Sequence, residues 1–289
     1  MAKLKYVNSN NKSVELGNTA PFLVLTVDGL GSPQSEIYTQ KSPYQDGVTV
    51  TGSSLESRNI VIEGKIIDSN RVNRQTYRNT LLSVFNPKLN GKLIIDFGDT
   101  QRQIDCKVEQ APYFASESGQ NHQDFSVSLI APNPFWQDIN TTKEEVAIWR
   151  GSFEFPLELV EEGIELGYRE PSLIVSVLNK GDVPCGMKIQ FKALATLSNP
   201  SLFNVNTREF FKINRTMEVG EVITVNTHFQ NKGVELNKNG VVSNAFNWID
   251  LDSTFLQLDV GDNLLRYDAS SGLANLEVSI WHNSQYLGA

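Results

Sequence analysis

From Ile104 to Glu109 the chain alternates strictly, with Ile104, Cys106 and Val108 on one side and Asp105, Lys107 and Glu109 on the other. A period of two sorts the apolar and polar residues onto opposite faces of an extended chain, a division that a helix cannot reproduce. Phe125, Val127 and Leu129 repeat the pattern before a stop at Pro132-Asn133-Pro134. Runs rich in β-branched and apolar residues occur at 21–28 (PFLVLTVD), 59–67 (NIVIEGKII) and 92–97 (KLIIDF), and Gly29-Leu30-Gly31 and Gly98-Asp99 supply turns. A chain with this rhythm is constrained to be mainly β.

One segment departs from it. Between Ser69 and Phe85, the residues Tyr77, Leu81, Val84 and Phe85 recur at helical spacing. Ser69 or Asn70 can cap the start, and Pro87 lies just past the end. The opposite face carries Arg71, Arg74 and Arg78, which reads as a solvated face on a helix packed against a sheet.

A polar stretch at 140–145 (NTTKEE) marks a domain connection, so the expected domains are 1–139 and 140–289. Beyond it, short β runs lie at 172–178, 187–191, 222–225, 234–236, 255–258 and 276–281. Turn signals such as Asn179-Lys180-Gly181-Asp182 and Gly261-Asp262-Asn263 separate them, which predicts a β-sandwich of jelly-roll type.

The 289 residues are 40% apolar, enough to bury real cores. No signal peptide is legible at the start and no run approaches the roughly 18 to 20 apolar residues of a membrane-spanning helix, so the expectation is a soluble protein made in a cytoplasm. Residues 1–140 hold 13 basic and 14 acidic side chains, and residues 141–289 hold 12 and 19, which gives −1 and −7. Neither half offers the basic face that captures phosphates, so specific nucleic-acid binding is not expected. A negative surface is compatible with a channel through which DNA slides without sticking, but charge alone does not show one.

Catalytic, metal and cofactor chemistry finds no constellation. Cys106 and Cys185 are too few for a thiolate zinc site or a disulfide framework and read as small buried apolar groups. His122, His228 and His282 stand apart from any cluster at ligand spacing. Gly29-Leu30-Gly31 is followed by Ser32-Pro33, which leaves no helix N-terminus for a dinucleotide pyrophosphate. Glu144-Glu145 and Glu161-Glu162 are sequence neighbours rather than carboxylates facing one another across a cleft. Asp250, Asp252, Asp259 and Asp262 are the densest acidic group, at spacings that match no calcium loop.

The series PFLVLTVDGLG, SPYQDGVTV and ESRNIVIEGKI resembles the opening of the siphophage distal tail proteins. The Gly-Leu-Gly turn, Gln45-Asp46-Gly47, the strand from Arg58 to Gly64, the helix with Arg78 and Leu81-Leu82, and the Gly98-Asp99 hairpin follow in that family's order. Ala131-Pro132-Asn133-Pro134-Phe135-Trp136 resembles the Pro-aromatic close of its N-terminal domain. Asn179-Lys180-Gly181-Asp182, Gly261-Asp262-Asn263 with Tyr267, and Trp281 with Tyr286-Leu287-Gly288 resemble its C-terminal half. The large carbohydrate-binding insertion of some members has no room here.

The resemblance implies an N-terminal β-sandwich or split-barrel ring domain with one helix and a β-hairpin, followed by a galectin-like β-sandwich. It implies a non-enzymatic, cofactor-free virion protein at the tail tip: a homohexameric ring between the tail tube protein and the tail-associated lysin or fibre hub. Receptor-binding proteins would dock on the outer domains, and DNA would pass through the hole. Arg58, Tyr77, Arg78, Phe135 and Trp136 are the candidate interface residues. The competing readings are a stand-alone carbohydrate- or cell-surface-binding module, whose mark would be exposed Trp149, Trp248 or Trp281, and a cell-wall-degrading enzyme.

Overall fold

The structure, a computed structural model, describes residues 3–115, 121–147, 149–151, 167–169 and 174–289. The chain divides into two compact units, Met1–Ile139 with Tyr286–Ala289, and Asn140–Gln285. The sequence reading left the last residues in the second domain, whereas Tyr286–Ala289 pack with the first.

The first unit contains β1 (Lys3–Asn8), β2 (Ser13–Leu16), β3 (Phe22–Asp28), β4 (Ser35–Gln40), β5 (Thr49–Leu55), β6 (Arg58–Ile67), α1 (Arg71–Val84), β7 (Asn90–Asp96), β8 (Gln101–Phe114), β9 (His122–Ala131) and β10 (Trp136–Asp138). Its main sheet runs β2-β1-β7-β8-β9-β6-β3, with β10 on β8. The end strands meet only through a bridge between Gly17 and Leu23, so the sheet curls without closing into a barrel. Alternation decides which side is dry: Ile104, Cys106 and Val108 of β8 are buried, as are Phe125, Val127 and Leu129 of β9.

Helix α1 forms where the apolar spacing predicts it. Asn70 caps it, accepting from the Val72 N–H at 2.8 Å. Leu81 and Val84 face the core, and Phe85, just past the end, stacks on Tyr6 at 4.4 Å. The Arg74 guanidinium donates to the Asp68 carbonyl at 2.6 Å, so that part of the basic face is tied to the helix's own start.

The second unit contains β11 (Thr142–Ala147), β12 (Trp149–Gly151), β13 (Gly167–Arg169), β14 (Ile174–Asn179), β15 (Met187–Ala193), β16 (Leu197–Asn204), β17 (Phe210–Lys212), β18 (Thr216–Met217), β19 (Val222–Asn226), β20 (Gly233–Lys238), β21 (Val241–Asn244), β22 (Gly261–Ser271) and β23 (Leu276–His282). One sheet runs β11-β23-β15-β19-β20-β21 and another β14-β22-β16-β17, with β18 beside β16. Ile189, Phe191, Ile223, Val225, Val278 and Ile280 from the first sheet share one core with Val177, Leu202, Phe211, Leu265 and Tyr267 from the other. That is a β-sandwich, with strands such as β15, β22 and β23 giving alternate residues to the interior.

Candidate assembly surface

The β4–β5 hairpin forms a two-stranded sheet apart from the main one, its strands pairing only with each other among the described residues. Nearly every residue on it is exposed. The register pairs Ser35 with Leu55, Ile37 with Ser53 and Thr39 with Val50, which sets Leu55, Ile37 and Val50 along one face. Ile37 is 60% exposed and Val50 63%, and Tyr44 at the tip is fully exposed. Polar contacts within the ribbon hold its shape: the Tyr38 hydroxyl lies 2.8 Å from Ser54 Oγ, and the Thr51 hydroxyl donates to the Tyr38 carbonyl at 3.1 Å. An isolated two-stranded ribbon is marginal in water, and this one exposes a line of apolar residues along one face.

The five residues singled out from sequence fall elsewhere. Arg58 is buried at the start of β6, where its planar fork binds backbone oxygens of its own chain. Nε donates to Pro134 O at 2.8 Å, Nη1 to Gly29 O at 2.7 Å and to Gly31 O, and Nη2 to Leu287 O at 2.7 Å. Burial lowers its pKa from the ordinary arginine value. Trp136 is fully buried, with the Arg58 guanidinium 5.8 Å from its ring centroid. These two side chains lie in the interior of the chain. Tyr77 is half-buried and packs edge-on to Phe22 at 5.6 Å. Arg78 is half-buried and lies over Phe114 at 4.5 Å. Phe135 is half-buried beside Trp136.

The hairpin escaped the sequence reading because the ribbon is wet on both faces. Its strands alternate Thr, Ser and Gly with a few apolar residues, so no dry face is legible. The signal that was present is Gln45-Asp46-Gly47, a turn between two β-branched runs. The Gly98-Asp99 hairpin joins β7 to β8 inside the main sheet instead.

Of the tryptophans considered as sugar platforms, Trp248 and Trp281 are half-buried. Arg215 lies 3.9 Å from the Trp248 centroid, and Lys143 and Lys188 flank Trp281 at 5.7 and 5.9 Å. The side chain of Trp149, like Glu161-Glu162, lies outside the described residues. No His, Cys, Asp and Glu group suited to a metal ion occurs among the described residues. Asp250 is engaged by Asn214 at 2.9 Å and by Lys212 at 3.7 Å, and Glu145 by Lys143 at 2.6 Å. Cys106 and Cys185 are unpaired thiols, and burial pushes each up to about 12. Among the described residues no helix is long and apolar enough to cross a membrane.

Comparison with known proteins accounts for both units. The model of a phage tail protein RIFT-related domain matches residues 9–131, and that of a siphovirus-type tail component C-terminal domain matches residues 180–286. Among solved structures the chain is similar to the Dit protein (gp 19.1) of SPP1, described as a paradigm of the hub adsorption apparatus in phages infecting Gram-positive hosts. The TM-score is 0.69 at 12% identity, covering 98% of both chains. It is also similar to a chain of the phage P2 baseplate in its activated conformation with Ca, with a TM-score of 0.56 at 12% identity and 98% coverage of both chains. The corresponding structure with Sr gives 0.55 at 13%, again covering 98% of both chains. No curated protein sequence matches this chain.

Proposed function

We propose, from the premise that the chain belongs to the siphophage distal tail protein family and is a structural component of the phage tail, that six copies close into a ring joining the tail tube to the host-binding tip. In this reading one face of the ring meets the tail tube protein, and the other meets the tail-associated lysin or fibre hub. The second unit, a galectin-like sandwich, holds receptor-binding proteins, and DNA passes through the central hole during ejection. The protein is made in the host cytoplasm, and its work is mechanical rather than catalytic.

The observation that carries this reading is the β4–β5 arm, which projects exposed apolar residues and pairs with no other strand among the described residues. Closed cyclic assembly repeats one heterologous contact until it shuts, so each subunit gives a surface and receives another. An arm that covers a neighbour provides such a contact. Light scattering with negative-stain imaging tests it: a ring of six 32.3 kDa chains has a mass of roughly 194 kDa. A chain that stays monomeric, alone and with its tail neighbours, overturns the ring.

A further inference from the structure

The root of the β4–β5 arm and the segment Tyr286–Ala289 are built around the same guanidinium. Residues 29–34 carry the chain from β3 into β4, and their first carbonyls are each taken. Arg58 Nη1 donates to Gly29 O and Gly31 O, and the Ala289 N–H donates to Leu30 O at 3.0 Å. Arg58 Nη2 in turn donates to Leu287 O. Arg102 grips the same segment, donating to Gly288 O and stacking on the Tyr286 ring at 3.7 Å. The Tyr286 hydroxyl completes the hold on Asp138 at 3.2 Å. Gly29 has φ of 87°, and a Cβ there would come 2.0 Å from Asn59 O, so the loop's path is fixed at its start.

We infer that Tyr286–Ala289 is a clasp on the root of the arm, and that Arg58 is the positioning residue through which the clasp sets the arm's direction. A two-stranded ribbon has no packing of its own to aim it, so its direction is decided where it leaves the body. Three successive carbonyls at that point are bound by Arg58 of β6 and by the Ala289 N–H. Without the clasp, Leu30 O loses its donor and Arg58 loses an acceptor in a buried setting, and the root is held by Arg58 alone. The inference uses the proposed ring only for its consequence, that an unclasped chain assembles poorly; arm order is measured separately.

Spin labels at Ser42→Cys on the arm and Thr76→Cys on α1 report that order, because Cys106 and Cys185 are buried. Labelled chains are diluted with unlabelled protein, so only distances within one chain are read. The parent gives one narrow distance distribution. Arg102→Gln, which loosens the clasp and leaves Arg58 in place, and a chain ending at Gln285 each broaden it by about twofold or more. Unchanged widths in both overturn the clasp. Should the shortened chain lose the thermal transition of the first unit, Arg102→Gln alone decides, and an unchanged width there overturns the inference. A parent with a narrow distribution that never exceeds 32.3 kDa keeps the clasp and removes the ring.

Discussion

Glu221 is a fully buried carboxylate in the second unit, and its surroundings make it an acid-sensitive point. Burial alone would raise its pKa. The Glu218 backbone N–H, the Lys238 ammonium at 3.1 Å and the Arg215 guanidinium at 3.0 Å outweigh that and hold it below the usual carboxylate range. A carboxyl depressed in the folded state adds stability that is present above its unfolded pKa and lost as pH falls through the folded value. The second unit should therefore lose thermal stability as pH drops below the ordinary glutamate range. Glu221→Gln should be less stable at neutral pH and show a shallower acid limb; parallel acid limbs in variant and parent would contradict this. Gly64 is a steric case, since an added Cβ would meet Leu23 O at 2.5 Å and the Phe125 ring at 2.7 Å. A backbone oxygen cannot step aside as a flexible side chain does, so Gly64→Ala should cost about 1–3 kcal/mol in denaturant unfolding.

Among the elements, α1 depends most visibly on a local signal. Asn70 Oδ1 satisfies the Val72 N–H, and Asp68 accepts from the Asn70 N–H at 2.7 Å, so two carboxamide or carboxylate groups serve the helix start. Asn70→Ala should destabilise the first unit by about 1 kcal/mol, read from the denaturant midpoint. A change within error would show that Asp68 caps the helix alone. This helix was legible because capping, apolar spacing and the terminal Pro87 all lie within one window. The strands of both cores were legible for a similar reason: alternation such as Ile104, Cys106, Val108 reports directly which side is dry. Contacts closed over long sequence distances were not. Nothing near Arg58 announces that its acceptors lie at Gly29, Pro134 and Leu287, so a lone arginine opening a strand read as a surface group. The arm was hidden for the opposite reason, since a ribbon with two wet faces leaves no periodicity.

At the scale of the whole molecule, the arm connects folding to assembly. Ile37 and Val50 share one face of the ribbon, each more than half exposed, and neither contributes to either core. Surface substitutions at such positions change the stability of a lone chain by only about 0.5 kcal/mol either way. If the face is instead covered by a neighbour in a ring, a charge placed there is stripped of water at every contact, and the cost recurs around the ring. Ile37→Glu combined with Val50→Glu should therefore leave the thermal transitions of the monomer in place while reducing the roughly 194 kDa species to 32.3 kDa chains. Tyr44 at the tip discriminates further. Tyr44→Ser should weaken assembly if the tip inserts into the receiving subunit, and should leave it unchanged if only the Ile37 face is covered. A double variant that still forms complete rings would move the subunit contact off the arm and onto the edges of the main sheet, where β2 and β3 leave the barrel unclosed.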